Sequence, residues 1–340
     1  MTITRIKFSN FTAFQTLDLR ASKGINILIG ANGTGKTHVM KAAYSACDIS
    51  RTGRNFAEKL VATFMPYEDR LGRLAHRRTK STNAYVEIER EGAKIKTVFS
   101  NHSNEPATAR TTGRKRWCES PLECAFIPVK DMLANAPGFR SLYAARQVHF
   151  EEIYADIVDR AYIPPLRGPQ DTTRKKMLKI LAKEIEGKVE TTGETFFLRN
   201  KHGKLEFSLL AEGIRKLALL WKLIQNGTLQ GGAVLFWDEP EANLNPKVMR
   251  PLVKILLELQ RQGVQIFLAT HDYVLLKEFD LLSITKDKVV FHSFFRDEED
   301  VVQYEPAASF AEIHHNAIAD TFASLYDREL ARSFEGHGKG

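Results

Sequence analysis

A glycine-rich segment between an apolar run and a helical pattern places the strongest constraint on the fold of this chain. Residues 25–29 read INILI, and residues 30–37 read GANGTGKT. From Ala31 to Asp48, small and apolar residues recur at helical spacing. The order strand, glycine-rich turn, helix is the context that GxxxxGK[ST] requires in a phosphate-binding loop. The sequence therefore predicts a strand, a phosphate-binding loop and a helix over residues 25–48.

Each residue type in this loop has a chemical role in binding a chain of phosphates. Glycines let backbone N–H groups close around the phosphates, and the N-terminus of the helix adds partial positive charge. Lys36 can reach the β- and γ-phosphate oxygens, and the Thr37 hydroxyl can bind Mg²⁺. The residues predicted to bind the nucleotide in this loop are Asn32, Gly33, Thr34, Gly35, Lys36 and Thr37.

Two carboxylates follow a second apolar run. Residues 233–237 read AVLFW, and Asp238 and Glu239 come next. Because open parallel sheets bind ligands at the carboxyl ends of their strands, Asp238 is predicted to hold Mg²⁺ and Glu239 to polarise the attacking water. A solvated acidic turn is the alternative for this pair taken alone. The phosphate-binding loop upstream makes that alternative the minor one.

A third apolar run, residues 264–269, leads to Thr270 and His271. An imidazole at this point could hydrogen-bond to a γ-phosphate and report whether that phosphate is present. A structural polar contact is the commoner role for a histidine at the end of a strand. The place of His271 after the Asp-Glu strand favours the functional role, and we predict that His271 is catalytic.

The remaining pattern predicts how the chain is organised. Helical periodicity over residues 212–225 and 247–262 alternates with the two apolar runs described above, as in a parallel sheet. A further helix is predicted near residues 140–162. Residues 49–189 change in composition and are predicted to form an inserted helical and β subdomain, whereas residues 1–48 and 190–340 form the core.

Composition and charge exclude some classes of protein. The chain has 340 residues, a formal net charge of +8 and three cysteines without a CxxC pair. A structural zinc site and a disulfide framework are therefore disfavoured. The apolar runs are shorter than the roughly 20 residues of a membrane helix, and the first residues lack an apolar signal core. We expect a cytoplasmic protein without a membrane partner.

These motifs resemble the ABC-type ATPase heads of the branch that includes SMC proteins, zinc-hook repair ATPases, RecF and OLD-like bacterial ATPases. Residues 30–37 resemble the Walker A motif, Phe236–Glu239 Walker B, and residues 270–272 the H-loop. Residues 238–246 read DEPEANLNP and are similar to the DEPEANLHP run of the OLD-like group. The resemblance implies an α/β fold: a P-loop NTPase with a mixed sheet flanked by helices, an antiparallel N-terminal β-subdomain and an inserted α+β subdomain.

The signature motif of this family is matched less well. Residues 210–216 read LAEGIRK, so Ala211 replaces the usual serine. The resemblance still implies that Glu212 and Gly213 bind the nucleotide across a dimer interface, and that the cofactors are ATP and Mg²⁺. The glutamine of the family's Q-loop is not identified. Gln147 is a candidate by its order along the chain, although its helical setting argues against it.

The resemblance also implies a function. Two heads would sandwich two ATP molecules in a homodimer or a higher even-numbered homo-oligomer, so that hydrolysis switches the assembly. Only about 50 residues follow Val290, too few for the Toprim nuclease domain of OLD proteins. The first hypothesis is therefore a stand-alone OLD-like ATPase, as in Septu and retron systems, that regulates an effector, a nuclease, encoded nearby in anti-phage defence. The alternatives are a RecF-like ATPase that binds DNA directly and a nucleotide-binding scaffold with low turnover.

A cluster of cations in the predicted insertion suggests a docking surface. Clusters of this kind bind phosphate backbones without sequence specificity, which makes nucleic acid a candidate partner. A solvated helix face or a surface for an acidic protein fits the pattern equally well. The cations are Arg51, Arg54, Lys59, Arg70, Arg73, Arg77, Arg78, Lys80, Arg110, Arg114, Lys115 and Arg116.

Overall fold

The computed structural model describes residues 1–77, 80–168 and 171–337, with the backbone alone for 334–337. Its strands are β1 (Ile3–Phe11), β2 (Phe14–Arg20), β3 (Ile25–Gly30), β4 (Asn83–Arg90), β5 (Ala93–Ser100), β6 (Arg110–Thr112), β7 (Cys124–Ile127), β8 (Lys188–Thr192), β9 (Thr195–Asn200), β10 (Gly203–Glu206), β11 (Val234–Asp238), β12 (Gln265–Ala269), β13 (Val289–Arg296) and β14 (Val302–Ala307). Its helices are α1 (Lys36–Thr52), α2 (Phe56–Phe64), α3 (Arg114–Cys118), α4 (Phe139–Ala144), α5 (Glu152–Tyr162), α6 (Thr172–Glu184), α7 (Glu212–Gln225), α8 (Met249–Arg261), α9 (Tyr273–Leu282) and α10 (Ala317–His337).

The central sheet is mixed and has the strand order β14-β13-β3-β12-β11-β7. All of its neighbouring strands pair in parallel except β14, which is antiparallel to β13 at one edge. Ala269 of β12 is opposite Asp238 of β11 on one side and Leu28 of β3 on the other. The carboxyl ends of these three strands therefore lie side by side, where open parallel sheets bind their ligands.

A second, antiparallel sheet has the order β2-β1-β4-β5-β6, and a small third sheet has the order β10-β9-β8. The predicted α/β fold with a mixed sheet, flanking helices and an antiparallel N-terminal sheet is confirmed. The placement of residues 49–189 differs from the expected inserted subdomain, because β4 pairs with β1 and β7 pairs with β11. In β4, Ala84, Val86 and Ile88 alternate along the strand and are buried in the N-terminal core, and this burial fixes the hairpin in that sheet.

The helix predicted over residues 140–162 is interrupted in the structure. The first part, α4, ends at Ala144, and α5 begins at Glu152. Arg146 lies between them with a φ of 56°, in the left-handed region that a right-handed helix cannot include. Helical periodicity in the sequence continues across this break, which explains why the pattern predicts one helix.

Aromatic side chains connect the central sheet to α1. Phe126, Phe236 and Phe267 of three adjacent strands stack on one face, with ring centroids 6.3 and 5.2 Å apart. Tyr44 of α1 contacts the edges of the first two rings at 5.6 and 6.0 Å. All four side chains are buried, and full burial of an aromatic ring stabilises a fold by about 2–3 kcal/mol. This contact holds the helix that follows the glycine-rich loop firmly on the sheet.

Among the helices that the structure describes, we find none with the length and apolar content needed to cross a membrane.

Candidate nucleotide-binding site

The glycine-rich loop connects β3 to α1 through backbone conformations that favour glycine. Gly30 has a φ of 141°, and a Cβ atom there would lie 2.1 Å from the carbonyl oxygen of Phe294. Gly35 has a φ of 89°, and its Cβ would lie 2.6 Å from the Phe14 ring. Both contacts are too short for any side chain, so β13 and the N-terminal sheet enclose the loop from two sides. The backbone N–H groups at the start of α1 are thereby fixed in place.

The ammonium group of Lys36 folds back over the loop. Its Nζ donates to the carbonyl oxygens of Gly30 at 2.7 Å and Ala31 at 2.9 Å. Burial lowers the pKa of Lys36, and the nearby carboxylates of the site, Asp238 first among them, oppose this effect. Phosphate oxygens offer a cation stronger acceptors than two carbonyl groups, so the side chain can exchange these bonds for bonds to a bound phosphate.

The other loop residues divide into two groups. Thr34 is buried, and its hydroxyl donates to the carbonyl of Ala31 at 2.8 Å, so its side chain stabilises the loop and only its backbone is available to a ligand. Asn32 and Gly33 are exposed at the tip. Arg296 of β13 donates to the Gly33 carbonyl at 3.3 Å, a contact that the sequence did not predict.

Asp238 at the end of β11 lies beside the first turn of α1. The hydroxyl of Thr37 donates to Asp238 Oδ2 at 2.9 Å. Burial raises the pKa of Asp238 to about 6, and the hydrogen bond from Thr37 acts in the opposite direction. Hydroxyl and carboxylate oxygens are the hard donors that Mg²⁺ prefers, and a largely buried carboxylate with a raised pKa gains from a cation. The predicted metal residues Thr37 and Asp238 therefore fit Mg²⁺.

Glu239 and His271 face each other across the ends of two adjacent strands. The Nδ1 atom of His271 lies 3.5 Å from Glu239 Oε1, and both side chains are partly exposed. Glu239 has a φ of 46°, unusual for a residue with a side chain, and its N–H donates to the carbonyl of Ala269 at 2.9 Å. Strained backbone of this kind is common at functional sites, where the surrounding structure holds it in place.

A cavity of about 650 Å³ opens beside the first turn of α1. It is large enough for the sugar and base of a nucleotide whose phosphates occupy the loop. Its lining combines polar and cationic side chains with an aromatic ring: Thr12, His38, Phe64, Arg73, His76 and Arg77. Two of these, Arg73 and Arg77, belong to the cationic cluster that the sequence assigned to a docking surface.

Glu212 and Gly213 lie at the start of α7, as predicted, but their contacts are with other parts of the same chain. The Glu212 carboxylate accepts bonds from Asn243 Nδ2 at 2.9 Å and from the Asp131 N–H at 3.3 Å. Gly213 packs against the Asn243 carbonyl so closely that a Cβ would lie 2.3 Å from it. Their predicted contact with a partner's nucleotide remains a prediction.

Two functional candidates were missed by reasoning from the sequence. Lys216 of α7 is buried, and its Nζ donates to the Ala242 carbonyl at 3.1 Å, beside the Glu239 turn. Glu241 bonds to the loop that carries His271. A signal for Glu241 existed in the run DEPEANLNP, whereas nothing in the sequence pairs α7 with this turn. Gln147 lines a different cavity, with Arg54 among its neighbours.

Comparison with known proteins gives both sequence and structural matches. Residues 128–277 match the family model described as "AAA domain, putative AbiEii toxin, Type IV TA system". The DNA double-strand break repair Rad50 ATPase of Thermoplasma volcanium is 32% identical over 115 residues, which are 31% of this chain and 13% of that protein. The DNA replication and repair protein RecF of Escherichia coli is 47% identical over 45 residues, 13% of each chain. The matched segments thus span about an eighth of these relatives.

Solved structures extend the likeness to nearly the whole fold. An SMC head bound to the C-winged helix domain of ScpA covers 92% of this chain and 99% of its own, with a TM-score of 0.58 and 12% identity. An SMC head with an extended coiled coil, bound to the C-terminal domain of ScpA from Pyrococcus furiosus, covers 96% and 99%, with a TM-score of 0.53 and 11% identity. This chain therefore shares its fold with these SMC heads, and segments of its sequence are similar to Rad50 and RecF.

Proposed function

We propose that this chain is an ABC-type subunit that binds and hydrolyses ATP, dimerises on ATP and regulates a separately encoded effector, a nuclease, in bacterial defence against phage. The observation that carries the proposal is the convergence of four side chains at one edge of the central sheet. These are Thr37, Asp238, Glu239 and His271. Loop amides, a lysine and two adjacent carboxylates are the groups that phosphoryl transfer to water requires.

The residues have separable roles in this proposal. Lys36 leaves the loop carbonyls and binds the β- and γ-phosphates, while the N-terminus of α1 adds partial positive charge. Mg²⁺ held by Thr37 and Asp238 would supply further charge to the same oxygens. Glu239 accepts a proton from the attacking water, and His271 donates to the γ-phosphate. Because Glu239 and His271 are partly exposed, a second copy of the chain could close over them and exclude water.

Two comparisons bear on the regulatory part of the proposal. The description of the matched family includes the words "Type IV TA system". The SMC head in the solved structure is bound to a domain of another protein, ScpA. Both are consistent with a head that acts through a partner encoded elsewhere.

Phosphate release tests the hydrolytic step. We expect the wild-type protein to release phosphate from Mg-ATP, and Glu239→Gln to be slower by about 100-fold or more, because the proton acceptor is lost. Glu239→Gln should bind a fluorescent ATP analogue as tightly as the wild type. Equal background rates in the two proteins would contradict hydrolysis and favour the low-turnover scaffold.

Co-purification tests the effector. Products of the neighbouring genes should bind the tagged wild-type protein, with an amount that depends on ATP. Lys36→Ala should lose this dependence on ATP. If no neighbouring gene product binds in either condition, the proposed partnership is wrong.

A second candidate function, direct DNA binding as in a RecF-like protein, is favoured by the distribution of free cations. Much of the cationic cluster predicted from the sequence forms contacts within the chain and is not free to bind DNA. Arg51 bonds to Glu123 at 2.6 Å, Arg54 to Glu152, and Lys59 is buried. Arg78 lies outside the described residues.

A different element presents free positive charge. Lys175, Lys176, Lys179 and Lys183 of α6 are exposed, and in the described parts of the chain none of them forms an ion pair. At about 100° per residue they lie within roughly a third of the helix circumference. The opposite face of α6 buries Met177, Leu178 and Leu181.

Salt-dependent DNA binding distinguishes this candidate. If the α6 face binds a phosphate backbone, Lys175→Glu with Lys179→Glu should weaken DNA binding and flatten its dependence on salt. A matched control, Lys201→Glu with Lys254→Glu, makes the same change in net charge at exposed positions elsewhere. Equal effects of the two pairs, or no DNA binding by the wild type, would exclude α6 as the binding surface.

A further inference from the structure

We propose that Glu241 is a positioning residue for hydrolysis. Its carboxylate joins the turn that carries Glu239 to the loop that carries His271, and so sets the distance between those two side chains. This inference rests on the proposed ATPase function and assigns a role to a residue that neither the motif comparison nor the family match singles out.

The contacts of Glu241 span the ends of two strands. Its Oε1 accepts a hydrogen bond from Thr270 Oγ1 at 2.7 Å and from the His271 N–H at 3.2 Å. The same oxygen lies 3.9 Å from His271 Nδ1, and only 9% of the Glu241 side chain is exposed. One carboxylate oxygen, two residues beyond Glu239, therefore accepts a hydrogen bond from the His271 backbone and lies close to the His271 imidazole.

Both ends of this link are anchored. Thr270 is fully buried, and its N–H donates to the Leu28 carbonyl of β3 at 3.0 Å. On the other side, Leu244 N–H donates to the Glu241 carbonyl at 2.9 Å, and Ala242 N–H donates to the Glu239 carbonyl at 3.1 Å. A link between two rigid segments transmits position, whereas a contact between two flexible loops would not.

The second oxygen of the carboxylate has an unusual environment. Glu241 Oε2 is buried, and no hydrogen-bond partner for it exists in the parts of the chain that the structure describes. A buried oxygen without a donor costs about 1–3 kcal/mol, so a residue present only for local stability would be better replaced by an apolar one. The geometry suits a link between the two strand ends. Glu241 Oε1 accepts two hydrogen bonds at once, and the side chain is long enough to reach from the end of β11 to the end of β12.

Three variants test the role. Glu241→Ala breaks the link, Thr270→Val breaks it from the other side, and Glu241→Gln retains an oxygen acceptor of the same reach. We expect Glu241→Ala to lower kcat by about 100-fold, the cost of misplacing a reacting group by about 1 Å, with an unchanged KM for ATP. Thr270→Val should act in the same direction, and Glu241→Gln should restore most of the wild-type kcat.

A spectroscopic readout separates this inference from the proposed function. The imidazole resonance of His271, assigned by comparison with His271→Gln, should shift in Glu241→Ala and Thr270→Val and stay near its wild-type position in Glu241→Gln. A wild-type kcat in Glu241→Ala, or an unmoved His271 resonance, would overturn the positioning role. Failure of Glu241→Gln to restore kcat, together with a raised KM and a lowered Tm, would show a structural role only. A wild-type protein without ATPase activity whose His271 resonance moves as expected would overturn the proposed function and leave the link in place.

Discussion

At the scale of single residues, the proposed function makes Lys36 the main cation for phosphates in the glycine-rich loop. Its ammonium group donates to two loop carbonyls, at Gly30 and Ala31. We predict that Lys36→Ala abolishes binding of a fluorescent ATP analogue, as measured by titration. The control is Lys23→Ala, which removes an exposed lysine that pairs with Glu91. Tight ATP binding by Lys36→Ala would show that the loop assignment is wrong.

His292 is the residue through which acid should destabilise the fold. It is fully buried on β13, where its ring nitrogens lie 3.1 Å from Tyr304 Oη and 3.0 Å from Asn26 Oδ1. Burial lowers the pKa of His292 from 6.5 to about 3, and that of His38 to about 4. Between these values and 6.5, each of these two histidines binds more protons in the unfolded chain than in the folded one. Their contribution to stability is therefore complete above about pH 6.5 and is lost as the pH falls.

The predicted loss for each of these histidines approaches about 1.4 kcal/mol per pH unit below pH 6. Urea unfolding at pH 7, 6 and 5 measures it. Replacement of His292 by Asn removes one titrating group, so the slope of stability against pH should become shallower even if the variant is less stable at pH 7. An unchanged slope would contradict a neutral, buried His292.

At the scale of helices, a buried ionic network joins α1, α2 and α5. Lys59 of α2 is 1% exposed and lies 3.0 Å from Asp48 of α1 and 2.6 Å from Asp156 of α5. Arg160 also reaches Asp48, at 3.4 Å. The neighbouring carboxylates raise the pKa of Lys59 despite its burial, and Lys59 in turn lowers the pKa of Asp48. The helix that follows the glycine-rich loop, α1, is thus fixed to α2 and α5.

We predict that Lys59→Met lowers the free energy of unfolding by about 3–5 kcal/mol, because the buried Asp48 and the partly buried Asp156 both lose a close counter-charge. Urea denaturation at pH 7 is the measurement. Lys23→Met, which removes an exposed ion pair, should cost at most about 1 kcal/mol. A loss of similar size in both variants would mean that the network contributes nothing beyond an ordinary surface pair.

Elements with a local signal could be predicted from the sequence, and elements defined by distant pairing could not. The strand, loop and helix from β3 to α1 were predicted because apolar residues, glycines and helical periodicity lie within one short segment. The pairing of β1 with β4 joins residues 76 to 87 positions apart, and no local pattern records it. Likewise, Thr37, Asp238, Glu239 and His271 were predicted one by one, whereas the bonds of Lys216 and Glu241 depend on the fold that brings their elements together.

At the scale of the whole molecule, the arrangement supports the proposal that this protein works in pairs. The loop tip, Glu239 and His271 lie at one edge of the central sheet and are partly exposed. Within one chain, the start of α7 bonds to Asn243 and Asp131, and its described contacts do not include the phosphate-binding loop. A second copy would supply that segment across the site, and ATP would join the two surfaces.

The most direct test of this account is the mass of Glu239→Gln in solution, measured by analytical ultracentrifugation with Mg-ATP, with Mg-ADP and without nucleotide. Because Glu239→Gln is expected to hydrolyse ATP slowly, it should keep ATP bound and stay in the ATP-bound assembly. The account predicts that its mass doubles, or rises to a higher even multiple, with Mg-ATP alone, and that Lys36→Ala shows no change. A protein that binds ATP tightly and keeps the same mass in all three conditions would contradict an ATP-driven switch between assemblies.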